Sequence, residues 1–161
     1  MIAATERRSR SGRNADHLTQ SERSRVMRAV HGKDTEPERT VRSALHRAGY
    51  RFCVHRPDLP GKPDIVLPRY RTVIFVNGCF WHQHPGCRKA TIPVNNRAFW
   101  KRKLTRTVQR DAENKEKLAA LGWRSIIVWE CEIRESIEST MERIFNHLLG
   151  HVQNSEGQVQ R

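Results

Sequence analysis

The chain has 161 residues and a formal net charge of +13, from 30 Lys and Arg against 17 Asp and Glu. This length suits one domain, and so large a positive charge favours a polyanionic partner, nucleic acid before a membrane surface. No apolar run approaches the roughly 20 residues of a membrane span, and no apolar segment follows the first charges as in a secretory signal. The composition therefore predicts an intracellular, basic, folded protein.

Polar segments flank the predicted domain. Residues 1–18 are rich in Arg and Ser, which is typical of a flexible basic arm or of a solvated tail without a role. Residues 151–161 predict a disordered tail. We therefore expect one domain over residues 19–150.

Two helices are predicted at the start of this domain. Thr19 and Glu22 form a capping box before a short helix that contains Met27. A second capping box, Thr35 and Glu38, precedes a helix that ends at Gly49.

Strands dominate the middle of the chain. Three candidate strands come first, and a Cys- and His-rich loop, a long helix from Asn96 to Leu121, a fourth strand and a last helix ending at Gly150 follow. The strands are Tyr50–His55, Asp64–Leu67, Thr72–Val76 and Arg124–Trp129. Three clustered strands and one that arrives after a long helix predict a single α/β domain, with a mixed β-sheet flanked by helices.

The Cys- and His-rich loop predicts a zinc site. Zinc in structural sites takes four sulphur or nitrogen ligands in a tetrahedron, and a C-x4-H-x2-C spacing in the loop supplies three of them. A cysteine just after the fourth strand completes the set, which is Cys79, His84, Cys87 and Cys131. His82 could replace His84, and the alternative is a surface loop without metal. Cys53 stays outside the set, as a small buried thiol.

Two aspartates are candidate catalytic residues. Asp64 follows the turn Pro60–Gly61 and enters a strand, where a carboxylate could hold Mg²⁺, although an ordinary turn residue is the simpler interpretation. The apolar stripe of the long helix runs through Trp100, Leu104, Val108 and Leu118. Asp111 is seven residues from both Leu104 and Leu118, so it is expected on the inward face and must be paired or liganded there. An ion pair with Arg106 or Arg110 is the alternative.

Aromatic residues lie within the Cys- and His-rich loop and shortly after it. Phe80 and Trp81 are consecutive, and Trp100 opens the long helix. In so basic a protein, exposed rings favour stacking on bases or wedging between them. Trp100 taken alone is expected to be a core residue.

At this point the sequence resembles the very-short-patch-repair (Vsr) mismatch endonucleases of bacteria. The similarity runs from about Ser24 to Arg134. The motifs that carry it are SRVMRAV, KDTEPE, LPGKPDIV, VIFVNGCFWHQH, AFW and LGWRSIIVWEC. The resemblance implies a type II restriction-endonuclease-like core with a structural zinc site.

The resemblance also implies a role for each candidate residue. Asp64 and the main-chain carbonyl of Val76 would bind Mg²⁺, His82 would act on the attacking water, and Glu38 and Asp111 would hold metal-bound waters or orient the site. The implied zinc ligands include His84 rather than His82. The implied DNA wedge consists of Phe80, Trp81 and Trp100. Met27 would belong to the N-terminal element that clasps the opposite groove.

Three features depart from related patterns. Asn77 stands where some family members have a second active-site histidine, which would leave His82 alone for proton transfer. The Cys-His loop is one residue longer, through Pro85-Gly86. The restriction-endonuclease superfamily usually has an acid-x-Lys pair on the strand after the aspartate, and Thr72–Val76 contains none. Its absence fits the Vsr subfamily and counts against an ordinary restriction enzyme.

The implied activity is a Mg²⁺-dependent, strand-specific nick 5′ of the T in a T·G mismatch left by deamination of 5-methylcytosine. Two other readings remain open: a zinc-containing DNA-binding module that does not cut, and a restriction-type endonuclease. The implied partner is double-stranded DNA with a T·G mismatch. We further expect a monomer in the bacterial cytoplasm, associated with the nucleoid, and a MutL-type mismatch-repair protein is a partner that the sequence leaves open.

Overall fold

The computed structural model describes residues 33–156, and side chains within residues 33–150. The predicted basic arm, the first predicted helix and Met27 lie outside the described residues. Helix α1 spans Glu36–Arg47 and begins as its capping box predicts, because the Thr35 side chain accepts a hydrogen bond from the Glu38 N–H. Gly49 follows the helix with a positive φ of 84°, a conformation that glycine adopts without strain.

Three strands form a mixed sheet. They are β1 (Ile65–Leu67), β2 (Thr72–Asn77) and β3 (Arg124–Trp129), in the order β1-β2-β3. β1 is antiparallel to β2 and joined to it by the tight turn Pro68–Tyr70, whereas β2 and β3 are parallel. Parallel strands need a long crossover connection, and helix α2 (Arg97–Ala120) lies within it.

Two further helices follow the sheet. α3 (Glu130–Glu135) begins directly after β3, and α4 (Ile137–Glu156) follows it. The larger core cluster combines buried apolar residues of α1, the strands and α4, among them Val41, Leu45, Ile74, Val128 and Ile144. A smaller cluster lies where α2 contacts the sheet and includes Val73, Leu118 and Trp123. The predicted α/β class with a mixed sheet and flanking helices is confirmed.

Several local predictions are wrong. Tyr50–His55 is not a strand: Cys53 makes one isolated bridge to Val66, and the positive φ of 56° at His55 ends the extended segment. Cys53 is exposed rather than buried. Val108, predicted on the buried stripe of α2, is also exposed.

Helix boundaries differ from the expectation at the end of the chain. The short helix α3 was not predicted, and α4 continues through Gly150 to Glu156. Trp100 is buried, as the core interpretation predicted. Within residues 33–156, none of the helices combines the length and the apolar character needed to cross a bilayer.

Candidate active site and metal centre

Asp64 lies immediately before β1, and its side chain faces β2. Its Oδ2 accepts a hydrogen bond of 2.8 Å from the Val76 N–H. The N–H and C=O of one strand residue point to the same side of the strand. The main-chain carbonyl of Val76 is therefore directed to the side on which Asp64 lies.

The surroundings of Asp64 disfavour its charged form. Burial is the main cause, and together with the nearby Glu38 carboxylate it raises the pKa of Asp64 to about 6 from an ordinary value of 3.8. The Val76 N–H, Arg42 and His82 act in the opposite direction. Such a partly buried carboxylate with an elevated pKa is typical of a functional site.

Glu38, which caps α1, is buried beside Asp64. Its Oε1 accepts a hydrogen bond of 2.8 Å from the Thr35 hydroxyl, and its Oε2 accepts one of 2.9 Å from the Asp34 N–H. Arg42 donates to the same Oε2 at 2.9 Å and to the Asp64 carbonyl oxygen at 3.1 Å. The sequence analysis missed Arg42, although its i,i+4 spacing from Glu38 was a visible signal.

His82 and Asp111 form a pair across 29 residues of sequence. His82 lies in a tight turn after β2, in which its N–H donates to the Gly78 carbonyl, and Asp111 comes from the middle of α2. The His82 Nδ1 lies 2.5 Å from the Asp111 Oδ2. A carboxylate at Nδ1 favours the tautomer with its proton there and leaves Nε2 as the nitrogen that can accept a proton. The alternative partner Arg110 lies 4.0 Å from the other carboxylate oxygen.

Four sulphur and nitrogen side chains meet beside this pair. Their ligand atoms lie within 4.8 Å of one another, and the residues are Cys79, His84, Cys87 and Cys131. The His84 Nδ1 is 3.8 Å from the Cys79 Sγ and 3.2 Å from the Cys131 Sγ. A zinc tetrahedron with bonds of about 2.1 Å to nitrogen and 2.3 Å to sulphur has N–S edges of about 3.6 Å. The group therefore has the composition and the size of a metal site.

The geometry of this group distinguishes between the two histidines. His84 stacks on Trp129 with ring centroids 4.2 Å apart, and His82 faces Asp111 instead. Burial and the neighbouring Cys79 and Cys87 thiols raise the pKa of Cys131 to about 12. Because crowded thiolates repel one another, a bound cation is the natural way to hold these sulphurs ionised together.

The aromatic residues form one cluster. The centroid of Phe80 lies 5.0 Å from that of Trp81 and 5.5 Å from that of Trp100. Phe80 and Trp81 are half-buried, whereas Trp100 is buried beneath them. Phe99, which the sequence analysis overlooked, is half-exposed and adjoins Trp100.

Basic residues continue from the aromatic cluster along α2. The Lys103 Nζ lies 5.3 Å from the Trp81 and Trp100 ring centroids, a cation–π arrangement. The other exposed cations in the first 14 residues of α2 are Arg97, Lys101, Arg102, Arg106 and Arg110. Asn77, at the end of β2, is buried and pairs in register with Trp129.

Comparison with known proteins identifies the family of the chain. The family described as DNA mismatch endonuclease Vsr matches residues 15–89. The chain is 44% identical over 133 residues to the type II nicking enzyme V.XorIIP of Xanthomonas oryzae pv. oryzae, covering 81% of this chain and 97% of that protein. It is 40% identical over 134 residues to the DNA mismatch endonuclease Vsr of Escherichia coli K12, covering 83% and 85%.

A third relative is the type II nicking enzyme V.NmeAIP of Neisseria meningitidis, 44% identical over 119 residues, which are 74% of this chain and 84% of that protein. The protein is thus an endonuclease that acts on DNA. It belongs to the Vsr family of DNA mismatch endonucleases.

Proposed function

We propose that this endonuclease nicks one strand of double-stranded DNA 5′ of the T in a T·G mismatch, the product of 5-methylcytosine deamination, and so initiates very short patch repair. One observation carries the proposal: the His82–Asp111 pair lies near the partly buried Asp64 carboxylate, and the loop that contains His82 also contains two aromatic rings. These neighbouring residues therefore supply a general base, a cation ligand and an aromatic surface for unstacked nucleobases.

The carboxylate site fits a divalent cation. Hard oxygen ligands are what Mg²⁺ prefers, and we assign as its direct ligands Asp64 and the main-chain carbonyl of Val76, which lie on the same side of β2. Glu38 and Asp111 would hold its water ligands or orient the site. When bound, Mg²⁺ would stabilise charge on the scissile phosphate and on the leaving 3′-oxygen.

His82 is the proposed general base. With its Nδ1 fixed by Asp111, its Nε2 takes a proton from the attacking water. Asp111 keeps the ring in the required tautomer and stabilises the imidazolium that results. Because Asn77 has no titratable side chain, His82 performs this step without a second histidine.

The proposed zinc site is structural. Four protein ligands, Cys79, His84, Cys87 and Cys131, leave no open position for catalysis. Cys131 belongs to α3, so the metal would tie the 79–87 loop to the end of β3.

The aromatic cluster is the proposed mismatch wedge. Phe80 and Trp81 are accessible enough to enter the duplex, and Trp100 supports them from the core. Separating a base step costs a few kcal/mol, and less at a mismatched pair. Selectivity for T·G would therefore come partly from the deformability of the DNA. Met27 is proposed to clasp the opposite groove, and it lies outside the described residues.

Nicking of labelled duplexes tests the proposal. Two duplexes that differ in one T·G pair are incubated with Mg²⁺ or EDTA and with the wild type, Asp64→Ala or the control Asp58→Ala. Asp58 is a suitable control because it is exposed, pairs with Arg56 and is not among the groups that shift the pKa of Asp64. We expect nicks on the T strand alone, which EDTA and Asp64→Ala abolish and Asp58→Ala leaves unchanged.

Other results would favour the alternatives. Binding without cleavage would indicate a zinc-containing DNA-binding module, and double-strand cleavage of the matched duplex would indicate a restriction-type endonuclease. Size-exclusion chromatography tests the proposed monomer, and its repetition with a MutL-type protein tests that partner.

A further inference from the structure

The guanidinium of Arg42 connects the elements that present two of the acidic residues of the site, Glu38 and Asp64. Arg42 lies on α1 one turn after Glu38, and its side chain is only 14% exposed. Its Nη2 donates to the Glu38 Oε2 at 2.9 Å and to the main-chain carbonyl of Asp64 at 3.1 Å. Its Nη1 pairs with Asp34, before α1. A single side chain therefore joins the start of α1 to the start of β1.

We propose that Arg42 is a positioning residue, which holds Glu38 and Asp64 at the separation that a divalent cation and its water ligands require. This inference rests on the proposed function, since it assumes that Asp64 binds the cation. Mg²⁺ tolerates little departure from octahedral geometry. Two carboxylates on separate elements repel each other, so without a cationic link they would move apart or rearrange.

The shape of the guanidinium suits this role. Arginine presents its donors in a planar, rigid fork, whereas the lysine ammonium is a point charge on a flexible stem. Arg42 uses that fork to contact three groups at once. A lysine at this position would keep the charge and lose part of the geometry.

The chain contains a matched control. Arg143 on α4 makes the same type of link, because its Nη2 donates to the Glu132 Oε2 at 2.8 Å and to the Ile127 carbonyl at 3.2 Å. These partners belong to α3 and β3 and are not among the proposed cation ligands. The Arg143 side chain is more exposed than that of Arg42, 46% against 14%, and its removal breaks a link of the same type that involves no proposed cation ligand.

The experiment compares the wild type with Arg42→Met, Arg42→Lys and Arg143→Met. Electron paramagnetic resonance measures Mn²⁺ binding to each protein on a T·G duplex with a non-hydrolysable linkage at the nick site. Nicking of the ordinary duplex gives the Mg²⁺ concentration for half-maximal rate. We expect Arg42→Met to weaken Mn²⁺ binding and raise that Mg²⁺ concentration by about tenfold, as for other residues that orient metal ligands. Arg42→Lys should fall between, and Arg143→Met should match the wild type.

Three results would overturn the inference: wild-type or tighter Mn²⁺ binding by Arg42→Met, an equal loss in Arg143→Met, or a rate lowered at every Mg²⁺ concentration without a shift in the half-maximal one. If Arg42→Met does not fold, Arg42→Lys decides, and wild-type Mn²⁺ affinity in that variant would overturn the inference. A wild type that neither binds Mn²⁺ nor nicks with Mg²⁺ would instead overturn the proposed function, and this inference with it.

Discussion

Replacement of Asp64 by Asn should abolish nicking and at the same time stabilise the protein. In the absence of Mg²⁺, the folded chain must hold the Asp64 carboxylate in a partly buried position near the Glu38 carboxylate. Asparagine has nearly the same shape and can still accept the hydrogen bond from the Val76 N–H, but it carries no charge. The substitution thus removes a destabilising charge and retains the local geometry.

The size of the effect follows from linkage. The folded-state pKa of about 6, against an ordinary value of 3.8, corresponds to a destabilisation of about 3 kcal/mol at pH 7. Because the folded-state pKa is the higher one, the folded state binds the proton more tightly, and this contribution to stability decreases as pH rises from about 4 to about 6. Asp64→Asn should therefore be up to about 3 kcal/mol more stable than the wild type at pH 7, with a smaller difference at pH 5.

Urea unfolding without added Mg²⁺ or chelator measures this difference at pH 5, 6 and 7. The comparison of variant and wild type at each pH cancels the contribution of the Cys-His group, which both proteins share. Mg²⁺ added at pH 7 should stabilise the wild type and leave Asp64→Asn unchanged, since a ligand stabilises only a state that binds it. An Asp64→Asn protein that is as stable as the wild type or less stable at pH 7, with unchanged m-value, would refute the reasoning.

Three further results are expected. Asp111→Asn should lower the nicking rate at saturating Mg²⁺ by about a hundredfold without loss of helical signal, because His82 loses the group that fixes its proton. Cys131→Ser should lower the zinc content found by metal analysis and lower Tm by about 10 °C or more, since a structural metal contributes to folding. The double variant Arg106→Gln and Arg110→Gln should reduce the slope of log affinity against log salt by about 2, if each exposed cation contacts one phosphate.

The second and third of these results each have a control in the same chain. Cys53→Ser changes an exposed cysteine outside the Cys-His group, so its zinc content and Tm should match the wild type. Lys115→Gln with Lys117→Gln removes two cations from the half of α2 that also carries Glu113 and Glu116, and the salt slope should stay the same. An unchanged rate in Asp111→Asn would show that the His82 pairing does not contribute to the reaction.

Short sequence patterns correctly predicted those elements of the fold that depend on residues close together in sequence. The continuous apolar runs around Ile74 and Ile126 indicated buried strands, and both strands form with bounds within one residue of the prediction. The capping box at Thr35 likewise located the start of α1. The segment around Cys53 failed because β-propensity does not reveal whether a partner strand is available, and here only one bridge to Val66 forms.

The candidate site was predictable to the extent that its residues carry distinctive chemistry. The Cys and His spacing indicated a metal group, but spacing alone could not choose between His82 and His84, since both lie in the same short loop. The choice depends on Asp111, which lies far away in sequence and approaches His82 only when α2 packs against the sheet. Arg42 escaped notice because its i,i+4 spacing from Glu38 is a weak signal in a chain with 30 Lys and Arg residues.

The short segment from Cys79 to His84 joins the proposed recognition and the proposed chemistry. It is fixed on one side by the Cys-His group, through Cys131 of α3, and on the other by the pairing of His82 with Asp111 of α2. Phe80 and Trp81 lie between these two anchors. If entry into a duplex displaced these rings, the movement would reach the imidazole of His82, which directly follows Trp81. The two anchors prevent this as long as both stay in place. A loop this tightly constrained favours a base that is placed correctly before DNA arrives, and the proposed zinc would contribute to the rate through that placement although it takes no part in the reaction.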